Sequence, residues 1–266
     1  MKIEIYQIDT FTDKLFGGNP AAVCPLDEWL EDTVLQQIAA ENNLAETAFF
    51  VKHPNNTFHL RWFTPEFEID LCGHATLATA FVLFEECGYS ENEIIFETQS
   101  GVLNVRKVND LFELNFPARP PKKSALPQII KDGLNLKPKE VWKARDYLLL
   151  YDSEDDIRNI KPDTSILNQI NIDPGGIIVT AKGHSRDVDF VSRLFTPQAS
   201  VFEDPVTGSA HCTLIPFWSE RLKKTKFRAL QISERGGTLF CELDQELERV
   251  NISGKAIKYL HGAIEI

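Results

Sequence analysis

The sequence predicts an α+β protein built from two pseudo-symmetric halves, in each of which a sheet of several strands wraps around one buried helix. Three observations predict this. First, Phe58-His59-Leu60-Arg61-Trp62-Phe63-Thr64-Pro65 aligns without a gap with Phe190-Val191-Ser192-Arg193-Leu194-Phe195-Thr196-Pro197, and Phe, Arg, Phe, Thr and Pro recur in register. Second, the segments downstream of these two are collinear. One copy runs on to Cys72-Gly73-His74 and a Gly-rich hairpin at Ser100-Gly101, the other to Thr207-Gly208-Ser209 and a hairpin at Gly236-Gly237. Third, each half pairs its strand patterns with one helix that is apolar nearly all round, and such a helix must be buried. A half used twice usually sets its equivalent loops face to face and binds a ligand between them.

The elements come in this order. Residues 2–10 alternate as a strand, and Phe16-Gly17-Gly18-Asn19-Pro20 is a turn. Leu30, Val34, Leu35 and Ile38 share one face, predicting a helix over 25–43. Strands are expected over 46–52 and 57–63. The Cys72-Gly73 turn opens the first apolar helix, over 74–87, with Gly88 as its stop. Strands come next over 93–98, 101–108 and 111–116. Residues 117–128 are rich in Pro and Lys and read as a linker, so the halves are 1–118 and 119–266. Beyond it come helical stretches over 128–134 and 163–171, and strands over 176–181 and 187–195. The second apolar helix starts at Ser209 and is kinked or shortened by Pro216.

Composition narrows the function. The net charge of −11 over 266 residues argues against a nucleic-acid partner. Five scattered cysteines without a CxxC pair indicate free thiols in a reducing compartment. The first residues form a charged strand pattern rather than a signal peptide, and no apolar run reaches the roughly 18 residues of a membrane span. A cytoplasmic protein with no membrane partner is expected. Dinucleotide, P-loop and HExxH motifs are absent, and His211-Cys212 are too close in sequence to ligate one metal well. No cofactor and no metal are expected, so chemistry must come from side chains and backbone amides.

The two Gly turns are the first candidates. Gly73 and Gly208 stand where a loop becomes a buried helix, and unpaired N–H groups at a helix start can hold a carboxylate. Cys72 and Thr207 precede them and belong to the same expected substrate-binding surface. A plain structural cap would use the same residues. Glu46 begins an otherwise apolar strand. At the gapless repeat offset its partner is Ile178, so the first half carries a carboxylate where the second has a hydrocarbon. A carboxyl in low-dielectric surroundings suits proton transfer near neutrality; a strand-end Glu facing water is the ordinary alternative. The second half carries three extra residues between its Pro and its Gly turn, where Glu203-Asp204-Pro205-Val206 falls, and Asp204 serves either as a turn-forming acid or in catalysis. Cys72 sits at a helix start, which can depress a thiol pKa. Its repeat partner is Thr207, so a symmetric two-thiol racemase is disfavoured and Cys72 reads as a buried small residue.

These motifs together resemble the PhzF-like proteins of phenazine biosynthesis, which share the diaminopimelate-epimerase fold. The resemblance is carried by Phe16-Gly17-Gly18-Asn19-Pro20-Ala21-Ala22-Val23, Asn43-Leu44-Ala45-Glu46-Thr47-Ala48-Phe49, Phe63-Thr64-Pro65 with Cys72-Gly73-His74-Ala75-Thr76, and Glu203-Asp204-Pro205-Val206-Thr207-Gly208-Ser209-Ala210-His211. It implies two halves, each a curved mixed sheet or barrel around a central helix, with the active site in the cleft between them. It implies a cofactor-independent isomerase and a homodimer. The family's catalytic glutamate falls on Glu46, and its supporting histidine, aspartate and serine fall on His74, Asp204 and Ser209. The phenazine enzyme has a small residue where Cys72 stands, which leaves the acid–base machinery in place and the substrate open. The expected partner is a small carboxylate-bearing substrate. Two rivals stand beside this reading: a Cys72-dependent epimerase or racemase, and a non-catalytic metabolite-binding protein of the same fold.

Overall fold

The computed structural model describes residues 1–172, 175–199 and 201–266. The chain forms two compact units. The first is Met1–Asn115 together with Ser253–Ile266, and the second is Phe116–Ile252.

In the first unit, β1 (Lys2–Thr10) pairs antiparallel with β2 (Asn19–Leu26). A crossover through α1 (Asp32–Asn42) returns the chain parallel to β2 as β3 (Glu46–Lys52). β4 (Phe58–Phe63) then runs antiparallel to β3, with the short β5 (Glu68–Ile69) folded back on its end. α2 (Gly73–Phe81) continues as a π-helical turn, Val82–Glu86, and Gly88 at φ +68 stops it. β6 (Glu93–Thr98) lies parallel to β4 and is followed by the antiparallel β7 (Gly101–Val108) and β8 (Leu111–Pro117).

The two helices of this unit are sorted by their surfaces. α1 buries only Leu35, Ile38 and Ala39 and turns its polar side outward, as an amphipathic helix does. Every residue of α2 from His74 to Ala80 is buried, and α2 packs against β1, β2, β3 and β7. Small side chains at Ala75, Ala78 and Ala80 let those strands approach it closely.

The second unit repeats the plan. β9 (Lys122–Lys123) precedes α3 (Gln128–Asp132), and β10 (Glu140–Lys143) pairs antiparallel with β11 (Tyr147–Leu150). A crossover through α4 (Glu154–Asn159) and α5 (Thr164–Leu167) returns as β12 (Ile177–Lys182), parallel to β11. β13 (Phe190–Phe195) is antiparallel to β12 and carries the short β14 (Glu203–Asp204). α6 (His211–Leu222) is the buried helix. β15 (Lys226–Gln231) lies parallel to β13, then β16 (Gly237–Asp244) and β17 (Arg249–Gly254) close the unit. Trp218 of α6 stacks on Phe190, 5.5 Å between centroids, and donates to Thr180 Oγ1. The repeat in sequence is thus a repeat in strand pairing, parallel pairs included.

Several expectations need correction. The predicted helix over 25–43 starts later, because Pro25 stays in the β2–β3 ladder opposite Phe50. Residues 117–128 are no free linker. Ala118 N–H bonds Glu248 O, Arg119 N–H bonds Cys212 O, and Lys122–Lys123 pair with β10. The division at 118/119 also differs from the observed units. The last strand, β18 (Ala256–Glu265), pairs along the whole of β1 and so belongs with the first unit. The second buried helix is α-helical only from His211. Residues 208–210 wind more tightly, with His211 N–H on Gly208 O and Cys212 N–H on Ser209 O. Pro216 lies inside α6, which still runs twelve residues.

Candidate functional site

The ladders fix which residues of the two units correspond. Phe63 faces Thr47, and its counterpart Phe195 faces Ile177. The residue before each is therefore the matching position, and Glu46 corresponds to Gly176, not to Ile178. The gapless offset fails because the β12–β13 connection, 183–189, is longer than the β3–β4 connection, 53–57. Phe63 also faces Glu68, as Phe195 faces Glu203. The three extra residues therefore precede Glu203, and Asp204 corresponds to Ile69. Cys72 then matches Thr207, and His74 matches Ser209.

In the first unit, Glu46, Cys72 and His74 come together. β3 supplies Glu46 at its first residue. Cys72 is the extended residue that caps α2, and His74 lies on that helix's first turn. Glu46 Oε2 stands 2.9 Å from His74 Nε2. That is ion-pair distance, yet both atoms are buried without a hydrogen-bond partner, so the pair is out of line for a straight hydrogen bond. The other ring nitrogen, Nδ1, lies 3.5 Å from Cys72 Sγ and 3.2 Å from Asn19 Nδ2. Side-chain exposure is 8% for His74 and 16% for Glu46, so solvent reaches the carboxylate more than the ring.

The electrostatics follow from this packing. Burial disfavours the imidazolium, but the neighbouring charges at Cys72 and Glu46 outweigh it and raise the His74 pKa well above the usual histidine value. The Cys72 thiol is itself pushed up, by burial and by the Glu46 charge. Glu46, Cys72 and His74 each offer a metal-ligating atom, all within 4.8 Å of one another. His74 turns Nδ1 to Cys72 and Nε2 to Glu46.

In the second unit, Asp204 and Thr207 come together, with the Thr207 hydroxyl donating to Asp204 Oδ2. Gln231, buried on β15, accepts from Thr207 N–H at 2.9 Å and donates to Asp204 O at 2.8 Å. His211 Nδ1 lies 2.9 Å from Thr207 O, and burial pulls its pKa down to about 4, so it is neutral and donates to that carbonyl. Gly208 is buried in the tight turn and Ser209 is half-buried. Glu203, beside Asp204, is committed to a two-toothed pair with Arg193 at 2.7 and 2.8 Å. Arg61 grips Glu68 in the same way, at 2.7 Å twice. The repeated Arg of the Phe-x-x-Arg-x-Phe-Thr-Pro motif thus ties down the strand that leads into each Gly turn.

Sequence reasoning did not single out Asn19, Gln231 or the two Arg clamps, which hold these turns and their neighbours in place. Asn19 lies within the Phe16–Val23 motif, and the Args are in the repeat itself. Gln231 carries no such signal.

The sequence profile of the phenazine biosynthesis-like proteins (PhzC-PhzF) matches residues 8–262. The chain is 47% identical over 266 residues to an uncharacterized isomerase of Pseudomonas aeruginosa, covering 100% of both. Among solved structures, a phenazine biosynthesis protein of the PhzF family from Enterococcus faecalis superposes with a TM-score of 0.95 at 45% identity, again over 100% of each chain. A hydroxyproline epimerase from Agrobacterium vitis superposes with a TM-score of 0.60 at 12% identity, covering 99% of this chain and 92% of that one, which is a likeness of fold. No described helix is long and apolar enough to cross a membrane.

Proposed function

The chain belongs to the phenazine biosynthesis-like family, and from that premise we propose that it is an isomerase moving a proton within a small carboxylate-bearing substrate, with Glu46 as the acid–base group. The observation that carries the reading is the half-buried Glu46 carboxylate against His74 Nε2. A general base must be ionised, reachable and held in place. His74 holds the carboxylate in place, while its partial exposure leaves it open to a substrate.

The step balances without an external oxidant. A substrate C–H bond breaks and its proton goes to a Glu46 oxygen. The electron pair stays in the substrate and shifts a double bond. The same carboxyl, whose proton exchanges with solvent through its exposed edge, then delivers a proton to another carbon on that face. His74 holds the Glu46 carboxyl in place. Asp204 and Ser209 are proposed to orient and polarise the substrate's polar groups, and the amides at Gly73 and Gly208 to hold its carboxylate, with Cys72 and Thr207 shaping the surface beside them.

The thiol reading draws on the 3.5 Å contact between Cys72 and His74. Against it, the Cys72 pKa is raised and its counterpart Thr207 has no thiol. Screening small cyclic and amino-acid carboxylates in D₂O tests both. Deuterium should enter a turned-over compound with wild type and with Cys72→Ala, but not with Glu46→Gln. Uptake that survives in Glu46→Gln removes Glu46 from the chemistry. Uptake lost in Cys72→Ala as deeply as in Glu46→Gln makes the enzyme thiol-dependent.

A further inference from the structure

Building on the isomerase reading, we infer that Asn19 is a positioning residue of the reaction, whose side-chain amide holds the His74 ring edge-on and keeps Nε2 directed at Glu46. Asn19 opens β2 and is fully buried. Its Nδ2 lies 3.2 Å from His74 Nδ1, the ring nitrogen that does not face Glu46. Its backbone is anchored, because Thr10 Oγ1 donates to Asn19 O at 2.9 Å and Thr10 is its ladder partner on β1. The turn before it admits only glycine. Gly18 sits at φ +65, and a Cβ there would lie 2.0 Å from Thr10 O. Pro20 after it holds Asn19 to extended backbone. The Phe16-Gly17-Gly18-Asn19-Pro20 turn therefore delivers one amide, on a rigid mount, to one edge of a histidine.

The chemistry explains why an amide is there. When Nδ1 is bare, the amide donates through Nδ2–H; when Nδ1 carries a proton, the amide turned over accepts through Oδ1. Asn19 thus supports the ring in both protonation states. Cys72 Sγ, the other neighbour of Nδ1, is a weak donor and a weak acceptor. The titratable groups acting on His74 are Cys72 at the start of its own helix and Glu46 on β3, and Asn19 adds no charge to them. In the second unit, where Ser209 replaces the histidine, the residues leading into β11 are Lys143-Ala144-Arg145-Asp146, with no amide side chain.

The test is nitrogen NMR of the full-length protein labelled at histidine, with the His74 ring signals assigned through His74→Gln. In Asn19→Asp the carboxylate can only accept from Nδ1–H, so the proton affinity of His74 should rise about tenfold or more. In Asn19→Leu, of similar size, neither donor nor acceptor remains, and both ring-nitrogen shifts should move. An aspartate variant that melts like wild type and leaves the His74 titration in place overturns the inference. Should that variant not fold, unchanged ring shifts in Asn19→Leu overturn it instead. Glu46→Gln separates the two readings. It should lower the His74 proton affinity, and if it does not, the Glu46–His74 pair fails as the basis of the isomerase reading while the Asn19 result stands or falls by itself.

Discussion

The turns at Cys72-Gly73-His74 and Thr207-Gly208-Ser209 occupy matching places in the two units and have diverged in opposite directions. In the first unit, the polar groups face one another and are left short of partners. Glu46 Oε2 and His74 Nε2 are close but not hydrogen-bonded, and the carboxylate is partly open. In the second unit, the loop is fastened. Gln231 takes the Thr207 amide and the Asp204 carbonyl, His211 takes the Thr207 carbonyl, and Ser233 Oγ donates to Pro205 O at 2.7 Å. Unsatisfied buried polar atoms cost stability: at the first turn they are Glu46 Oε2 and His74 Nε2, which face each other, and beside the second it is His211 Nε2. On the proposed reading, proton transfer falls to the first copy and rigid presentation to the second.

The largest effect should come from removing the asymmetry in the first copy. Glu46→Gln keeps size and polarity but cannot carry the proton, and should lower turnover about 10²–10⁴-fold while the protein stays folded. A variant of near wild-type rate would place the chemistry elsewhere.

The Arg clamps test the fastened copy. Arg193→Met leaves Glu203 half-buried and unpaired, and also frees the carbonyls of Ile157 and Ile160, which its Nη1 bonds at 3.0 and 2.8 Å. The loss should be about 2–3 kcal/mol in denaturant unfolding, below the roughly 3–5 of a fully buried pair. Arg61→Met, whose second acidic partner Asp32 is mostly exposed, should cost less. Equal losses would show that the two clamps have not diverged with their loops.

Gly176 tests why the second copy has no acid. A Cβ there would lie 2.8 Å from Leu194 Cδ1 and 2.9 Å from Phe195 O. Gly176→Ala should therefore destabilise by about 1–3 kcal/mol through overpacking. Tolerance of alanine would mean that space is not what bars a side chain at this position.

A pH series sharpens the comparison further. His74 has a raised folded-state pKa, so the native state holds more protons than the unfolded one above the ordinary value of 6.5. The stability it contributes is full below that value and is lost as pH rises through the raised pKa. His211, lowered to about 4, is neutral in this range and adds no such slope. Melting temperature should fall with rising pH on the alkaline side in wild type and less in Glu46→Gln. Identical slopes would uncouple the two residues. The smallest effect is expected at Cys72→Ala, less than about tenfold in turnover, since a neutral thiol leaves the base to Glu46.

How much of this was legible depends on which contacts are local. The Phe-x-x-Arg-x-Phe-Thr-Pro repeat located β4 and β13, and the Gly turns after it located both buried helices. Glu46 stood out because an acid heads an apolar strand. The match of Glu46 to Gly176 was hidden, because loop lengths between β-strands drift and only the ladder restores the register. Asn19 was hidden because an amide carries no charge to draw attention. Gln231 bonds residues 24 and 27 positions away, a link no spacing announces. Strands β9 to β11 were obscured by Pro and Lys, residues that usually mark open chain.

The return of the last strand has a consequence for synthesis. Domains usually fold as they emerge, the N-terminal one first. Here residues 116–252 form one contiguous unit, complete before β18 has been made, whereas β1 waits for β18 along its whole length. The unit that emerges first, and that carries Glu46, closes last. Until then β1 presents an unpaired edge, which is a template for wrong pairing. Released chains truncated after residue 252 should thus resist protease over the second unit while their first unit is still cleaved.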